Sequence, residues 1–458
     1  MFRIDCKYAR LLVGDLAMSD SLVATGIPVV ESPSILPLAE DEIAGEFGTE
    51  SRTDWPLAPS TPAAGLIGRA ARTGLMLSVH SELEAVERAW RAFEATAALT
   101  AFQSFDWLAR WQRHIGSRRG TRPAVVLGRD AGGQLLFILP LALQRRYLVR
   151  RLCWLGGDLC DYHAPILGQR VRAHLGTEGF PPVWHDVLAL LRTSPRFRFD
   201  VVDLEQMPET VGGQLNPFVD LAVTLHPSGA HIATLTGDWE TFYAGKRSAA
   251  NRKSERKKLK QMGERGAIAV AEVSGPEALH TMDVLIAQKS RTLARMGVEN
   301  FFARPGYREF FLDLAADPSL SGLIHVGRMT VGATIAATSF GLIHRGCYCL
   351  MLSSYDDGEL ARFGPGRAYL HELLRRAIGR GLGYFDFTVG DESYKREWSD
   401  LELRLYDHTA AATMRGLPVA AATAAYRRAK RLIKQTPALW NAFSKARNFI
   451  GGFVFSVG

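Results

Sequence analysis

Residues 361–381 read ARFGPGRAYLHELLRRAIGRG. Gly364 and Gly366 flank Pro365, and Tyr369, Leu370, Leu373, Leu374, Ala377 and Ile378 follow at helical spacing. The pattern predicts a glycine turn that opens an amphipathic helix over residues 367–380. A helix N-terminus leaves backbone N–H groups unpaired and carries partial positive charge. Glycines let that backbone come close to an anion, and Arg362 and Arg367 add countercharge, so the turn suits a pyrophosphate. The same residues also read as a plain turn that starts a helix. The GK[ST] of a phosphate-binding P-loop is missing, and the dinucleotide fingerprint is incomplete.

Working outward, LIHVGRM, GATIAATSFGLI and GCYCLMLSS predict three meandering strands before the turn. YFDFTVG and LELRLYD predict two strands after it. Further upstream, GDWETFYAGKRSAANRKSERKKLKQMGERG reads as a helix or helix pair, AIAVAEV as a strand, and ALHTMDVLIAQKSRTLARMG and PGYREFFLDLAADPSL as helices. The earlier half alternates in the same way. SELEAVERAWRAFEATAAL is helical, with Ser81 and Glu84 spaced as a capping box. PAVVLGRD and QLLFILPLALQ are strands around an Asp-Ala-Gly-Gly turn; RRLCWLGG, a helix over 184–191 and the strand RFDVVDLE follow. The expected fold class is α/β (α+β): two similar domains, each a mixed, mostly antiparallel sheet flanked by helices. Their expected limits are residues 76–235 and 236–410. Residues 1–75, rich in Pro, Ser, Glu and Ala, read as a weakly folded arm, and 411–458 as a separate tail.

The length of 458 residues suits two or three domains, and 47 % hydrophobic with 22 % charged residues suits a globular chain. Apolar runs such as residues 135–143 are too short to span a bilayer, and MFRIDCKYAR offers no secretory core. A cytoplasmic location is the default expectation. Five cysteines without a C-x-x-C pair suggest neither a disulfide framework nor a zinc site, and no metal is expected. Cys347 and Cys349 alternate as on one face of a buried strand. The net charge is +8, and residues 411–458 hold eight Lys or Arg and no Asp or Glu. The rest therefore balances at 47 basic and 47 acidic residues, which argues against nucleic acid as a partner of the body.

The glycine segment resembles the coenzyme-A loop of GNAT acetyltransferases, Q/R-x-x-G-x-G/A, with Gly364 and Gly366 on the small positions. Ala361 stands where that family has Gln or Arg, with Arg362 next to it. One helix later, YFDFTVGDESYKREWSDLELRLY resembles the CelD/BcsL-like (BioF2-like) acetyltransferases, on Asp386, Phe387, Gly390, Asp391, Glu392, Tyr394, Lys395 and Trp398. FQSFDWLARW and GDLCDYHAPIL are similar to that family's earlier segments, so the resemblance covers roughly residues 100–410. The family is similar to the FemABX aminoacyltransferases, which are tandem GNAT proteins. The resemblance implies acyl transfer from acetyl-CoA to an amine or hydroxyl on a sugar, exopolysaccharide precursor or other cell-envelope acceptor. Arg362, Gly364, Gly366 and Arg367 would hold the pyrophosphate. Lys395 would stabilise the charge that develops on the thioester oxygen, with Asp386, Glu392 and Tyr394 as further catalytic candidates; Asp386 could take a proton from the acceptor. The FemABX link implies a second reading, aminoacyl transfer from charged tRNA, and a third is a non-catalytic scaffold on a polysaccharide synthase.

Three further groups stay open between function and structure. Arg252 and Arg256, one turn apart in the basic run KRSAANRKSERKKLK, suit either an anionic substrate or a solvated helix face. Asp161, Tyr162 and His163 form a candidate acceptor-binding loop or a structural one. In the tail, Ala422, Tyr426, Ala429 and Ile433 share one face and Arg427, Arg431 and Lys434 another, with Trp440, Phe443, Arg447 and Ile450 beyond Pro437. This pattern suits an anionic membrane surface, a membrane-bound synthase or packing on the body.

Overall fold

The computed structural model describes residues 65–436, apart from 147, 170, 176–177 and 391. Most of the N-terminal arm, Asp391 and the tail beyond 436 lie outside the described residues.

The second half is organised by a seven-stranded sheet. Its order is Ile268–Glu272, Ile324–Val331, Thr334–His344, Cys347–Tyr355, Tyr384–Val389, Ala230–Thr234 and Leu401–Leu403. Every pairing is antiparallel except that of Cys347–Tyr355 with Tyr384–Val389. Parallel neighbours need a crossover, and here it is the helix Pro365–Gly379. That helix buries Tyr369, Leu370, Leu373, Leu374 and Ala377 against Tyr348, Leu350, Phe385 and Phe387. Helices Gly275–Arg295 and Tyr307–Ala316 cover the opposite face.

The first half repeats the plan. Val149–Trp154 and Val201–Pro208 pair in parallel across a crossover that contains the helix Pro181–Thr193. They lie in a six-stranded sheet ordered Thr224–Leu225, Leu405–Ala411, Val201–Pro208, Val149–Trp154, Leu141–Arg146 and Arg122–Pro123. A five-stranded sheet adjoins it: Leu66–Arg69, Met76–His80, Val125–Arg129, Leu135–Leu139 and Ile166–Leu167. Mixed sheets flanked by helices thus occur in tandem.

Several local readings change. QLLFILPLALQ is two strands, parted at Pro140, whose missing N–H interrupts the ladder. LELRLYD also divides, and its two pieces enter different sheets: Leu401–Leu403 pairs with Ala230–Thr234, and Leu405–Ala411 with Val201–Pro208. The Ser81–Glu84 capping box does not form; the helix runs Glu87–Glu94 with Val86 at its N-cap, and Ser81 bonds Glu82 instead. Part of the expected arm is a strand, since Leu66–Arg69 forms a hairpin with Met76–His80. Across the limit expected at 235/236, the halves exchange strands. Ala230–Thr234 completes the second sheet, and Leu405–Ala411 completes the first.

Candidate active site

In the second sheet the parallel pair is registered only at Cys347/Tyr384, Tyr348/Phe385 and Cys349/Asp386. Beyond these residues the strands part, which opens the sheet at their C-terminal ends. Two elements rim the opening. One is the start of the helix Pro365–Gly379. Gly364, at its N-cap, has φ 71°, a left-handed conformation that costs any other L-residue energy. Gly366 lies so close to the end of the preceding strand that a Cβ there would sit 2.9 Å from the Tyr355 ring. A bare backbone at a helix start, beside an opening in the sheet, fits a pyrophosphate. Arg362 is exposed and stacks over Phe363 at 4.9 Å; Arg367 is half-buried and paired with Glu255 at 3.4 Å.

The other rim is the turn after Tyr384–Val389. Thr388 takes φ 62°, and the short helix Ser393–Trp398 turns Lys395 back under the strand. The Lys395 ammonium is buried. It donates to the Val389 carbonyl at 3.0 Å and pairs with Glu392 at 3.1 Å. Burial pulls its pKa down, but Glu392, Tyr394 and Asp161 outweigh this and hold it above the usual lysine value. It is therefore a fixed cation at neutral pH. A Cβ on Gly390 would collide with the Glu392 carboxylate and the Lys395 ammonium, so a larger residue there would displace this pair. Tyr394 is half-buried against Phe387, and burial pushes its phenol up to about 12, so it remains a donor. Ring contacts join the two rims: His371, on the glycine helix, lies 5.1 Å from Trp398.

The first half supplies a third side. The Tyr162 hydroxyl donates to both oxygens of Asp386, each at 2.8 Å, and the Thr388 N–H donates to Asp386 Oδ1 at 2.7 Å. Burial raises the Asp386 carboxyl, the Tyr162 and Thr388 hydrogen bonds pull it back, and the balance is about 6. Next to Tyr162, Asp161 is buried and its Oδ2 has no hydrogen-bond partner among the described residues. Such an atom costs free energy unless something arrives to bond it. His163 is spoken for, its ring nitrogens facing the carbonyls of Glu205 at 3.0 Å and Gly157 at 3.1 Å.

The structure thus brings together Asp161, Tyr162, Asp386, Glu392, Tyr394 and Lys395. It turns His163 away into the first half. Arg252 is half-buried and Arg256 exposed on the helix Ala249–Gly263, which packs against the turn Glu359–Phe363. Cys347 and Cys349, overlooked as partners of Asp386, place their sulfurs 3.9 Å apart, and the three ligand atoms lie within 4.8 Å of one another. The Cys347 contact and burial hold the Cys349 thiol well above its ordinary range, and Asp386 already receives two donors. The trio therefore reads as a packed polar contact.

Among the described residues, the first half's crossover helix differs from the glycine helix at its start. Its crossover helix starts Pro181–Pro182, and prolines have no N–H to offer an anion. Where Val149–Trp154 and Val201–Pro208 part, the chain's own residues move in: the His163 N–H donates to the Gln206 carbonyl at 3.1 Å.

The family model described as the acetyltransferase (GNAT) domain matches residues 249–396. No curated protein matches the chain. Among solved structures, FemX is similar at 10 % identity and TM-score 0.49, over 72 % of this chain and 96 % of that one. A conserved protein of unknown function from Bacteroides thetaiotaomicron is similar at 12 % identity and TM-score 0.46, over 72 % and 98 %. A tandem GNAT protein from the clavulanic acid biosynthesis pathway is similar at 12 % identity and TM-score 0.38, over 74 % and 98 %. At these scores the likenesses carry no argument about chemistry. The domain match, on the segment that contains both the glycine helix and Lys395, makes residues 249–396 a GNAT acetyltransferase domain and supports an acyltransferase.

Proposed function

We propose that the chain transfers an acyl group, acetyl in the simplest case, from coenzyme A to an amine or hydroxyl of a sugar or other cell-envelope acceptor. The observation that carries this reading is the opening between two parted parallel strands, with a bare helix start on one rim and a buried, fixed ammonium on the other. Gly364, Gly366, Arg362 and Arg367 hold the pyrophosphate, and the thioester enters the opening. The acceptor's nitrogen or oxygen bonds to the carbonyl carbon, the carbon–sulfur bond breaks, and coenzyme A leaves as the thiolate, which takes a proton from solvent. Lys395 stabilises the negative charge on the carbonyl oxygen. Asp161, with its unpartnered oxygen, binds the acceptor and takes its proton, while Asp386 holds Tyr162 and so the loop that carries Asp161. Glu392 fixes Lys395, and Tyr394 screens it from water. The sugar or exopolysaccharide acceptor rests on the CelD/BcsL-like resemblance alone.

A specific observation supports the second reading, aminoacyl transfer from charged tRNA. The helix beside the glycine turn exposes Lys253, Arg256, Lys257, Lys258 and Lys260, which suit a polyanion as well as they suit the 3′-phosphate of coenzyme A. Calorimetric titration with acetyl-CoA separates the two. Binding in the micromolar range, lost with Gly366→Glu, supports the donor proposed here. A folded chain that binds no acetyl-CoA but retains charged tRNA overturns it.

A further inference from the structure

The tail helix Gly416–Gln435 lies on the first half's sheet, against Val201–Pro208 and Leu405–Ala411, and it lies there with its polar side inward. Arg427 is buried in a nest of carboxylates: Asp203 at 2.9 Å, Asp407 at 3.3 Å and Glu205 at 3.3 Å. Its Nη1 also donates to Thr409 at 2.7 Å, and one turn pair further on Lys434 bonds Ser228. Of the basic face read from the sequence, Arg427 is therefore occupied by the protein's own acids and Lys434 by a serine hydroxyl. The exposed side is largely apolar: Leu417 is 49 % exposed and Leu432 61 %, with Ala421 and Ala425 between them, Tyr426 is 50 % exposed at its far edge, and Met414, just before the helix, 81 %. This is the reverse of a helix that docks by burying its apolar stripe.

From this reversed docking we propose that the outward face of Gly416–Gln435 is a binding surface for an anionic lipid bilayer, on which the helix lies flat. Charge selects this occupant. Arg415 starts the face and Arg428 stands within its stripe, and residues 411–458 contain no carboxylate to answer them. A second copy pairing face to face would set arginine against arginine. The chain's own continuation, residues 437–458, brings Lys445 and Arg447 and again no acid. Lipid phosphates supply the missing negative charge, and acyl chains take up the leucines and the tyrosine. The continuation extends the same composition, with Trp440, Phe443, Phe449, Phe453 and Phe455. The helix spans about 30 Å at 1.5 Å per residue, and no helix among the described residues is long and apolar enough to cross a membrane. The surface lies on the first half, so this inference stands or falls independently of the acyl-transfer reading.

The test is flotation of the full chain with vesicles of phosphatidylcholine alone and with added phosphatidylglycerol, beside Leu417→Ser/Leu432→Ser and Arg428→Glu variants. The altered side chains are exposed, and unchanged melting curves will confirm that the helix remains docked. The chain should float with anionic but not neutral vesicles. Binding should fall about fivefold for each unit of charge changed at Arg428, and it should weaken in high salt as the screening length shrinks. No flotation with anionic vesicles overturns the inference. So does flotation that the serine variant leaves unchanged, which would move the site elsewhere. A dimer in solution that the serine variant dissociates, without lipid binding, would give the face to a second copy instead.

Discussion

Asp386 shows how one residue's setting separates stability from function. Its folded pKa of about 6 lies above the ordinary carboxylate value of 3.8 because it is buried. A carboxylate shifted upward contributes stability fully below its unfolded pKa and loses it as pH rises through the folded one. At pH 7 the ionised form therefore costs about 3 kcal/mol, at about 1.4 kcal/mol per unit. Asn in its place still accepts from Tyr162 and Thr388 without a buried charge. Asp386→Asn should therefore be more stable than the parent at pH 7, with the advantage shrinking by pH 4, while acyl transfer is largely retained, because Asn still holds Tyr162 and with it the loop that carries Asp161. Urea unfolding at both pH values checks this, and a variant less stable than the parent at pH 7 would refute it. The residues after Asp386 were legible because they stand in one local segment. Tyr162 as the partner of Asp386 was not, since 224 positions separate them.

At the scale of elements, two crossover helices contrast. One begins Gly364–Pro365–Gly366 and presents its backbone; the other begins Pro181–Pro182, which lack two of the N–H groups a helix start offers. The chain should accordingly bind one coenzyme A, not two. Gly366→Glu places a carboxylate on the N–H groups that would hold the pyrophosphate. A negative charge suits a helix start, and the Tyr355 ring 2.9 Å from the new Cβ must shift a little, so the fold should survive. Calorimetry should show at least a tenfold loss of acetyl-CoA affinity with little change in melting temperature; undiminished affinity would rule out the loop. Helical and strand periods were readable from the sequence because each is a local pattern. Cap and break positions were less so. Pro140 divides a continuous apolar run and Arg404 an alternating one, because the pieces on either side are claimed by different sheets.

For the whole molecule, strand exchange is the governing feature. Ala230–Thr234 pairs with Tyr384–Val389, the strand that carries Asp386, and Leu405–Ala411 pairs with Val201–Pro208. A fragment cut at residue 235 leaves an unpaired edge in each sheet, and such edges aggregate. Fragments 65–235 and 236–458 expressed singly should be insoluble and should yield soluble complex when expressed together. A monodisperse 236–458 fragment with native melting behaviour would show that the exchange is dispensable. The halves are also joined by side chains, including Arg304 with Asp158 at 3.1 Å, His114 with Asp313 at 2.7 Å and the Trp107–Phe310 ring pair at 4.9 Å. Sequence by itself determined the element types, the glycine helix and the segment holding Lys395, because periodicity, turn chemistry and a contiguous motif act over a few residues. Only the tertiary structure decided which strand completes which sheet, that Tyr162 meets Asp386, and that the tail helix turns Arg427 inward. Those outcomes depend on which distant surfaces and charges satisfy one another, and spacing along the chain does not record that.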